Sequence, residues 1–273
     1  MTALIAWVGV DSRGPASIYL ASDSRISWDK GEKWDHGRKL FASQTKPLMM
    51  GYYGQAFFPT QVLGQLIDLV DADILTMPDD SSRTRFDRLI PVVKSSFEEH
   101  PKKDLFVIIF CTREGERMDA TFHINRLSWN KDTGWEVDLI EIPTQSCLVI
   151  SLGSGADSVS NWSAKWNKSE AGGTSRAVFG AFCDSLSSGE DEGVGGPPQL
   201  VGLYRIGPAK HFGIIENKKR FVLGLPITTT GNLQSIEWRN SLFERCDPET
   251  MTPLEWAQRH ARPKGWGPGP TKP

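Results

Sequence analysis

The sequence contains no uninterrupted apolar run as long as the roughly 18 residues that a membrane-spanning helix needs. Charge of one sign is not in excess either. Its 273 residues include 31 Lys and Arg against 33 Asp and Glu, which gives a formal net charge of −2. Nucleic-acid-binding proteins usually carry a basic face, so this balance favours neither a nucleic acid nor a membrane as the partner. The N-terminal stretch MTALIAWVGV has no basic residue before its apolar part, and no secretory signal peptide is expected.

Cysteine or histidine clusters with metal-binding spacing are also missing. The four cysteines, Cys111, Cys147, Cys183 and Cys246, are far apart and include no C-x-x-C, and the five histidines are not paired at ligand spacing. We therefore expect no metal, cofactor or redox-active pair. Apolar residues surround Cys111, Cys147 and Cys183, which predicts buried free thiols and fits a cytoplasmic location.

The motif of a Ser-His-Asp hydrolase is absent too. No G-x-S-x-G occurs, and the Gly153-Ser-Gly155 segment has the wrong register for a nucleophile elbow. What the chain does have is an ordinary globular composition, with 39% hydrophobic residues and a mean hydropathy of −0.33. That is enough apolar material for a sizeable core, in one large domain or two small ones.

The order of the apolar patterns predicts an α+β protein. Short apolar runs separated by turn residues predict strands near the N-terminus, over residues 105–152 and over 199–223. Helical spacing predicts two helices within 58–97 and two more within 153–186. This order fits a four-layer αββα sandwich, in which two antiparallel sheets stack and helices cover both outer faces.

The composition changes after Leu225. We expect residues 1–225 to form the main domain and residues 226–261 to form a C-terminal extension with a helix over 235–244. Residues 262–273, which are rich in Pro and Gly, are expected to be a disordered tail.

The second residue of the chain permits one specific chemistry. Removal of Met1 by the ordinary aminopeptidase would leave Thr2 with a free α-amine. A Thr hydroxyl is a weak nucleophile that needs an adjacent base, and an α-amine with a pKa of about 7.7–8.0 can be that base. A nearby Lys would lower the pKa of the amine, and a carboxylate would hold the Lys in place.

Five segments supply such groups in order along the chain. They are ASDSR at 21–25, GRKLF at 37–41, GYYGQ at 51–55, LGSG at 152–155 and DEGVGG at 191–196. Together with Thr2 they resemble the proteasome β-subunit superfamily of N-terminal nucleophile (Ntn) hydrolases, nearest to its bacterial HslV and Anbu members. The resemblance extends over roughly residues 2–225 and agrees with the αββα prediction.

The resemblance implies a catalytic role for six residues. Thr2 corresponds to the nucleophile and base amine, Lys39 to the lysine that lowers the pKa of that amine, and Asp23 to the aspartate that orients the lysine. Gly54 corresponds to the glycine whose backbone N–H forms the oxyanion hole. Ser154 and Asp191 correspond to the serine of the G-S-G turn and the aspartate of D-x-x-S-G-G.

The implied activity is that of a threonine-type peptidase acting through an acyl-enzyme. Family members work as rings, so a homo-oligomer is expected, with the unfoldase partner left open. Two departures leave alternatives open: Val194 replaces the family serine, and Thr2 lies 21 positions before Asp23, a longer spacing than usual. The chain could instead be an inactive assembly or binding subunit, or an amidase for small non-peptide amides.

Each segment also has a plain structural interpretation. The segment around Asp23 and Arg25 is compatible with a surface turn that has an internal salt bridge, and Lys39 with a solvated charge at a strand start. Gly54 is compatible with a glycine chosen for backbone freedom. The aromatic group Tyr52, Tyr53, Phe57 and Phe58 lies close to the expected cleft, where it suggests a hydrophobic specificity pocket.

Overall fold

Two β-sheets that face each other form the centre of the fold. The computed structural model describes residues 2–28, 31–77, 79–229, 231–259 and 261–263. The strands are, in chain order, β1 Leu4–Asp11, β2 Gly14–Ser22, β3 Ile26–Ser27, β4 Lys33–Trp34, β5 Leu40–Ala42, β6 Leu48–Gly54, β7 Phe106–Glu114, β8 Thr121–Asn130, β9 Gly134–Ile140, β10 Cys147–Leu152, β11 Gln199–Tyr204, β12 Lys210–Glu216, β13 Lys219–Val222, β14 Leu225–Pro226, β15 Glu237–Asn240 and β16 Arg245–Cys246. The helices are α1 Phe57–Asp71, α2 Ser82–Glu98, α3 Ala156–Trp166 and α4 Ser175–Ser188.

The first sheet has the strand order β10-β1-β2-β11-β12-β13-β14, with β15 added to β12 and β16 to β15. The second sheet has the order β5-β6-β7-β8-β9, and β3 and β4 form a separate hairpin. Neighbouring strands are antiparallel except for β12 and β15, which run parallel. Because β1 pairs with β2 in the register Leu4↔Ser22, the start of β1 lies beside the end of β2.

Three apolar layers hold the elements together. Side chains from β1 and β2, such as Leu4 and Leu20, pack between the sheets against Met49 and Ile109 of the second sheet. Residues of α1 and α2 cover the outer face of the second sheet, and residues of α3 and α4 cover the outer face of the first. The αββα sandwich of the α+β class that the sequence predicts is therefore confirmed by the layers themselves.

Local signals set the helix ends near the predicted positions. The Ser81 hydroxyl accepts from the Thr84 N–H at 3.0 Å at the start of α2, and Thr174 caps α4 through the Ala177 N–H at 3.3 Å. After α4 the chain turns at Gly189, whose φ of +65° favours glycine. Among the described residues, no helix is long and apolar enough to cross a membrane.

The C-terminal region differs from its prediction. The expected helix over 235–244 is wrong, because Glu237–Asn240 is strand β15, which extends the first sheet beside β12. Trp238 is 2% exposed and lies over Gly213, where any side chain would overlap the indole ring. This sheet pairing overrides the helical spacing of a short segment. Of the predicted tail, residues 264–273 lie outside the described residues, while Arg262 forms an ion pair with Asp184 at 3.3 Å.

The cysteines are free, as expected, but one of the predicted burial states is wrong. Cys111 and Cys183 are buried, whereas Cys147 is exposed, because it begins β10 at the edge of the first sheet. Cys246, which the sequence left unassigned, is buried on β16.

Candidate active site

Thr2, Asp23 and Lys39 come together where the two sheets meet. Thr2 precedes β1, Asp23 follows β2, and Lys39 precedes β5 of the opposite sheet. The β1–β2 pairing continues past the strand ends, with the Asp23 N–H donating to the Ala3 carbonyl at 3.2 Å. Lys39 Nζ reaches across the sheets to Thr2 Oγ1 at 3.2 Å and to Asp23 Oδ1 at 2.7 Å.

The Asp23 carboxylate is completely buried and fully engaged by donors. Its Oδ1 accepts from the Ala3 N–H at 3.0 Å as well as from Lys39, and its Oδ2 accepts from the N–H groups of Arg25 at 3.2 Å and Gly195 at 3.1 Å. Two donors on each oxygen fix the orientation of the carboxylate. The segment around Asp23 is thus not a surface turn, and its charge is directed at Lys39.

The Lys39 ammonium is also inaccessible to solvent, with a side-chain exposure of 0%. Burial lowers the pKa of Lys39, although the neighbouring Asp23 carboxylate favours the charged form. Among the described residues the ammonium has one carboxylate partner, Asp23, and it also donates to the Thr2 hydroxyl. A buried cation polarises a hydroxyl that it contacts. The interpretation of Lys39 as a solvated surface charge is wrong.

Gly54 adopts a backbone conformation that requires glycine. Its φ is +100°, and a Cβ there would lie 2.5 Å from the Leu105 carbonyl oxygen. The Tyr52 N–H donates to the Lys39 carbonyl at 3.3 Å, whereas the Gln55 N–H donates to Leu105 on the other side at 2.9 Å. Because amide direction alternates along a strand, the Gly54 N–H is directed to the same side as that of Tyr52, toward Lys39.

Ser154 lies in a turn that touches Thr2 through its neighbours. Gly153 has a φ of +94°, and a side chain there would overlap the Thr2 carbonyl oxygen. The Gly155 N–H is 3.5 Å from the same oxygen. The Ser154 side chain itself is exposed and makes no hydrogen bond within the described part of the chain. The turn is at the site, but the serine is not bonded to Thr2.

Asp191 is held by its own loop. Its Oδ1 accepts from the Gly193 N–H at 2.8 Å, while its Oδ2 is buried without a hydrogen-bond partner among the described residues. Val194, in the same loop, is 7% exposed and packs in the apolar layer beneath α3 and α4. The loop reaches the site through Gly195, whose N–H binds Asp23.

One residue that the sequence analysis missed fixes the position of Lys39. Gln199, at the start of β11, is fully buried, and its Oε1 accepts from the Lys39 N–H at 3.0 Å. Its Nε2 donates to the Gly37 carbonyl at 2.7 Å and to Ser24 Oγ at 2.9 Å. The sequence signal available for Gln199 was a single amide side chain at the start of the apolar run QLVGLY.

Arg25, close to Asp23 in the chain, also positions parts of the site. Its guanidinium holds Asp35 with two contacts, at 2.6 and 2.9 Å, and donates to the Val194 carbonyl at 3.3 Å. Gly195 leaves room for it, since a Cβ there would lie 2.6 Å from Arg25 Cζ. Arg25 therefore ties the loop that carries Asp191 to the segment that carries Asp23.

Thr2 and Gly54 both line a cavity of about 1000 Å³. Trp28 and Trp34 of the β3–β4 hairpin, together with Phe57, contribute exposed aromatic rings to its wall. The β13–β14 turn adds the apolar side chains Val222, Leu223 and Leu225. The cavity is thus largely apolar next to a polar cluster, an arrangement typical of small-molecule and peptide sites.

The predicted aromatic group contributes to this cavity only in part. Phe57 lines it, whereas Tyr52 and Phe58 are buried in the core between the second sheet and α1. The Tyr52 hydroxyl contacts Thr60 Oγ1 at 2.6 Å, and its burial raises the pKa of Tyr52 to about 12. Tyr53 packs against the apolar layer between the sheets.

Comparisons with known proteins give matches among solved structures alone. No family model and no curated protein matches the sequence. Among solved structures, a eukaryotic HslV from Trypanosoma brucei is 10% identical, with a TM-score of 0.47, over 74% of this chain and 99% of that one. A Thiobacillus denitrificans protein, BPH, solved in complex with epoxomicin, is 14% identical, with a TM-score of 0.47, over 76% of this chain and 100% of that one.

Proposed function

We propose that this chain is a cytoplasmic threonine-type Ntn hydrolase, in which Thr2 becomes the N-terminal residue and cleaves a peptide or amide bond. The observation that carries the proposal is the position of Lys39 Nζ, within 3.2 Å of Thr2 Oγ1 and 2.7 Å of Asp23 Oδ1, at the edge of a cavity of about 1000 Å³. A buried Lys–Asp pair directed at an otherwise unreactive hydroxyl has no evident packing purpose, and perturbed charges in a cleft are typical of catalysis.

The proposed reaction begins at Thr2. Oγ1 attacks the carbonyl carbon of the substrate, and its proton passes to the α-amine of the same residue. Lys39 donates to Oγ1 and so favours the developing negative charge on that oxygen. The carbonyl oxygen becomes an oxyanion that the Gly54 N–H stabilises, since that amide is directed toward this side of the strand. Expulsion of the amine, which takes the proton, leaves an ester on Thr2, and water then hydrolyses it.

We assign supporting roles to Ser154 and Asp191. Ser154 follows Gly153, which packs against the Thr2 carbonyl, so the turn sets the position of the α-amine. Asp191 has one buried oxygen without a hydrogen-bond partner among the described residues, and it orders the loop whose Gly195 N–H binds Asp23. Neither residue touches Thr2 Oγ1, and both are proposed to position the amine.

The alternative of an inactive assembly or binding subunit is motivated by Val194. This side chain packs in the apolar layer and supplies no hydrogen bond at the position where the resemblance implies a serine. If the α-amine is left without that partner, its proton transfer is less well oriented. The two functions differ in one observable, the reactivity of Thr2.

Intact mass measured after incubation with a β-lactone or a peptide epoxyketone, together with the identity of the N-terminal residue, tests the proposal. We expect an N-terminal Thr2 and one adduct located on it, and no adduct on the Thr2→Ala variant. Thr60→Ala is the matched control, because Thr60 lines the same cavity but is bonded to Tyr52, and it should react like the parent protein. A protein that retains Met1 and forms no adduct would support the inactive subunit. Hydrolysis of small amides but of no peptide would restrict the activity to non-peptide substrates.

We also propose that copies of the chain assemble into a homo-oligomeric ring. Val137 and Leu139 on the edge strand β9 are 47% and 70% exposed, and exposed apolar residues on an edge strand are typical of contact surfaces. Native mass spectrometry at micromolar concentration should give a multiple of the chain mass. A monomer at that concentration would contradict the ring.

A further inference from the structure

The hairpin that β13 and β14 form bounds one side of the cavity beside Thr2. Val222, Leu223 and Leu225 of this hairpin line the cavity together with Thr2. Because Val222 pairs with Leu225, the turn between the two strands consists of only two residues, Leu223 and Gly224. The five segments that carry the resemblance to Ntn hydrolases do not include this hairpin.

The backbone of this turn is unfavourable for leucine. Leu223 has a φ of +50°, and Gly224 has a φ of +85°. Positive φ at both central residues defines the type I′ turn, which strongly prefers Asn, Asp or Gly at its first position. A bulky residue such as leucine rarely adopts this conformation. Leucine at position 223 therefore makes the turn less stable than one of the preferred residues would.

The preceding turn of the same sheet has a residue that suits this conformation. Asn217 and Lys218 connect β12 to β13 with φ values of +50° and +57°, so the two turns are of the same type. Asn217 occupies the position that corresponds to Leu223, and asparagine is favoured there. Both residues of this earlier turn are exposed, and neither lines the cavity beside Thr2. The unfavourable leucine thus occurs in the turn at the cavity.

Contacts with the segment that carries Asp23 hold the turn in place. His36 Nδ1 donates to the Gly224 carbonyl at 2.9 Å. A Cβ on Gly224 would lie 2.5 Å from Ser24 Oγ, so glycine allows the turn to approach the residue that follows Asp23. Asp23 is the carboxylate partner of Lys39, and the turn therefore lies against the same segment that positions the ammonium.

The Leu223 side chain has two environments. It packs against the apolar layer between the sheets, yet it is only half-buried where it lines the cavity. Leu225, two residues further on, is 56% exposed and lines the same cavity. Apolar side chains on the wall of such a cavity can contact an apolar group of a ligand. An asparagine at position 223 would suit the turn but would place a polar amide on this wall.

From these observations we infer that Leu223 is a specificity-determining residue, which binds a large apolar side chain of a peptide substrate against the β13–β14 turn. This inference rests on the proposed hydrolase function and adds a substrate preference to it. Residues at functional sites often depart from those that local structure prefers. The leucine is retained at an unfavourable backbone position because its side chain contributes to substrate binding.

Four tripeptide epoxyketones test the preference. One has three Leu side chains, and each of the others has Ala in place of one Leu. We expect adduct formation on Thr2 to be about tenfold slower when one particular Leu is missing, since even one methylene group in an apolar contact is worth about tenfold in rate. In Leu223→Asn the preference at that position should be lost. Equal rates for all four compounds with the parent protein would overturn the inference, and so would a folded Leu223→Asn variant that retains the preference.

Lys218→Asn is the matched control. It introduces the same residue into a turn of the same type, at an exposed position that does not line the cavity. The preference between the Leu and Ala compounds should therefore remain that of the parent protein. Urea unfolding shows whether each variant is folded. If Leu223 served packing alone, Leu223→Asn would lower the urea midpoint and leave the preference unchanged.

Binding of unreactive peptides separates this inference from the proposed hydrolase function. Fluorescence anisotropy of labelled amides of the same tripeptides measures binding without reaction at Thr2. If no epoxyketone reacts but one Leu strengthens binding about tenfold and Leu223→Asn removes that gain, the hydrolase is wrong and the assignment of Leu223 is supported. If Thr2 reacts equally with all four epoxyketones, the hydrolase is supported and the assignment is wrong. Neither reaction nor binding up to millimolar concentration would overturn both.

Discussion

The Lys39 ammonium lies 3.2 Å from the Thr2 hydroxyl, and neither residue is more than 2% exposed. The two side chains come from opposite sheets, so the contact exists only when the sandwich is assembled. Asp23 accepts from the same ammonium at 2.7 Å, and three backbone N–H groups, those of Ala3, Arg25 and Gly195, hold the Asp23 carboxylate in place. The reactivity of Thr2 is therefore expected to depend on the charge of Lys39 more than on its volume.

Replacement of Lys39 by Met should abolish the reactivity of Thr2. The substitution keeps much of the side-chain length but removes the donor to Oγ1, and loss of a positioned acid–base group typically lowers rates by about 10²–10⁴-fold. The rate of β-lactone adduct formation on Thr2, followed by intact mass, is the measurement.

Lys102→Met is the control for this experiment. Lys102 lines the same cavity but is exposed, so its charge should matter little and the adduct rate should stay near that of the parent protein. Urea unfolding of both variants shows whether they are folded. Equal adduct rates for Lys39→Met and the parent protein would refute a catalytic function of Lys39.

Replacement of Gly54 by Ala should destabilise the fold and slow the reaction of Thr2. At a φ of +100° an Ala is strained, and its Cβ would lie 2.5 Å from the Leu105 carbonyl oxygen, which belongs to the backbone and cannot rotate away. We expect a loss of about 1–3 kcal/mol in the free energy of unfolding. Gly64→Ala, in the middle of α1, should instead raise it by up to about 1 kcal/mol. If Gly54→Ala and Gly64→Ala change the unfolding free energy equally, position 54 does not require glycine.

Replacement of Val194 by Ser should have opposite effects on reactivity and stability. The serine restores the hydroxyl that the resemblance implies beside the α-amine, and we expect the adduct rate on Thr2 to rise. It also removes an apolar side chain that is 7% exposed and packs under α3 and α4, at a loss of about 1–3 kcal/mol in unfolding free energy. Adduct kinetics and urea unfolding on one preparation measure both. A lower stability with no gain in rate would mean that the reaction does not need a serine at position 194.

Much of the fold could be predicted from the sequence because its signals are local. Apolar periodicity located α1, α2, α3 and α4, and the continuous run that became β7 is buried along its length. The strand β15 was missed because its partner β12 and the space over Gly213 are distant in sequence. No local pattern in SIEWRNSLFE distinguishes a short helix from a strand that fills this space.

The same distinction applies to the candidate site: residues with a local sequence signal were predicted, and those without one were missed. Thr2, Asp23 and Lys39 were singled out through segments at the ends of strands, and the structure brings them together. Gln199 was missed because an amide at the start of a strand gives no indication of which backbone it will bind, and here that is the Lys39 N–H, 160 positions away. The aromatic wall was predicted only in part, because whether Phe57 or Phe58 faces the cavity depends on the exact start of α1.

A last prediction concerns Glu216 at the end of β12, which makes stability depend on pH. Burial raises the pKa of Glu216 from 4.5 to about 6, and within the described residues its carboxylate accepts no hydrogen bond. Between pH 4.5 and about 6 the native state holds the proton that the unfolded state has released. The free energy of unfolding should therefore fall as the pH rises through this window and remain lower by about 2 kcal/mol above it.

Glu216→Gln removes this charge, so its gain in unfolding free energy over the parent protein should be largest above pH 7 and nearly absent at pH 4.5, as measured by urea unfolding across the range. Glu255→Gln, at a solvent-exposed position, serves as the control and should give no such difference. A Glu216→Gln variant whose advantage is the same at both pH values would show that Glu216 keeps its ordinary pKa in the folded chain.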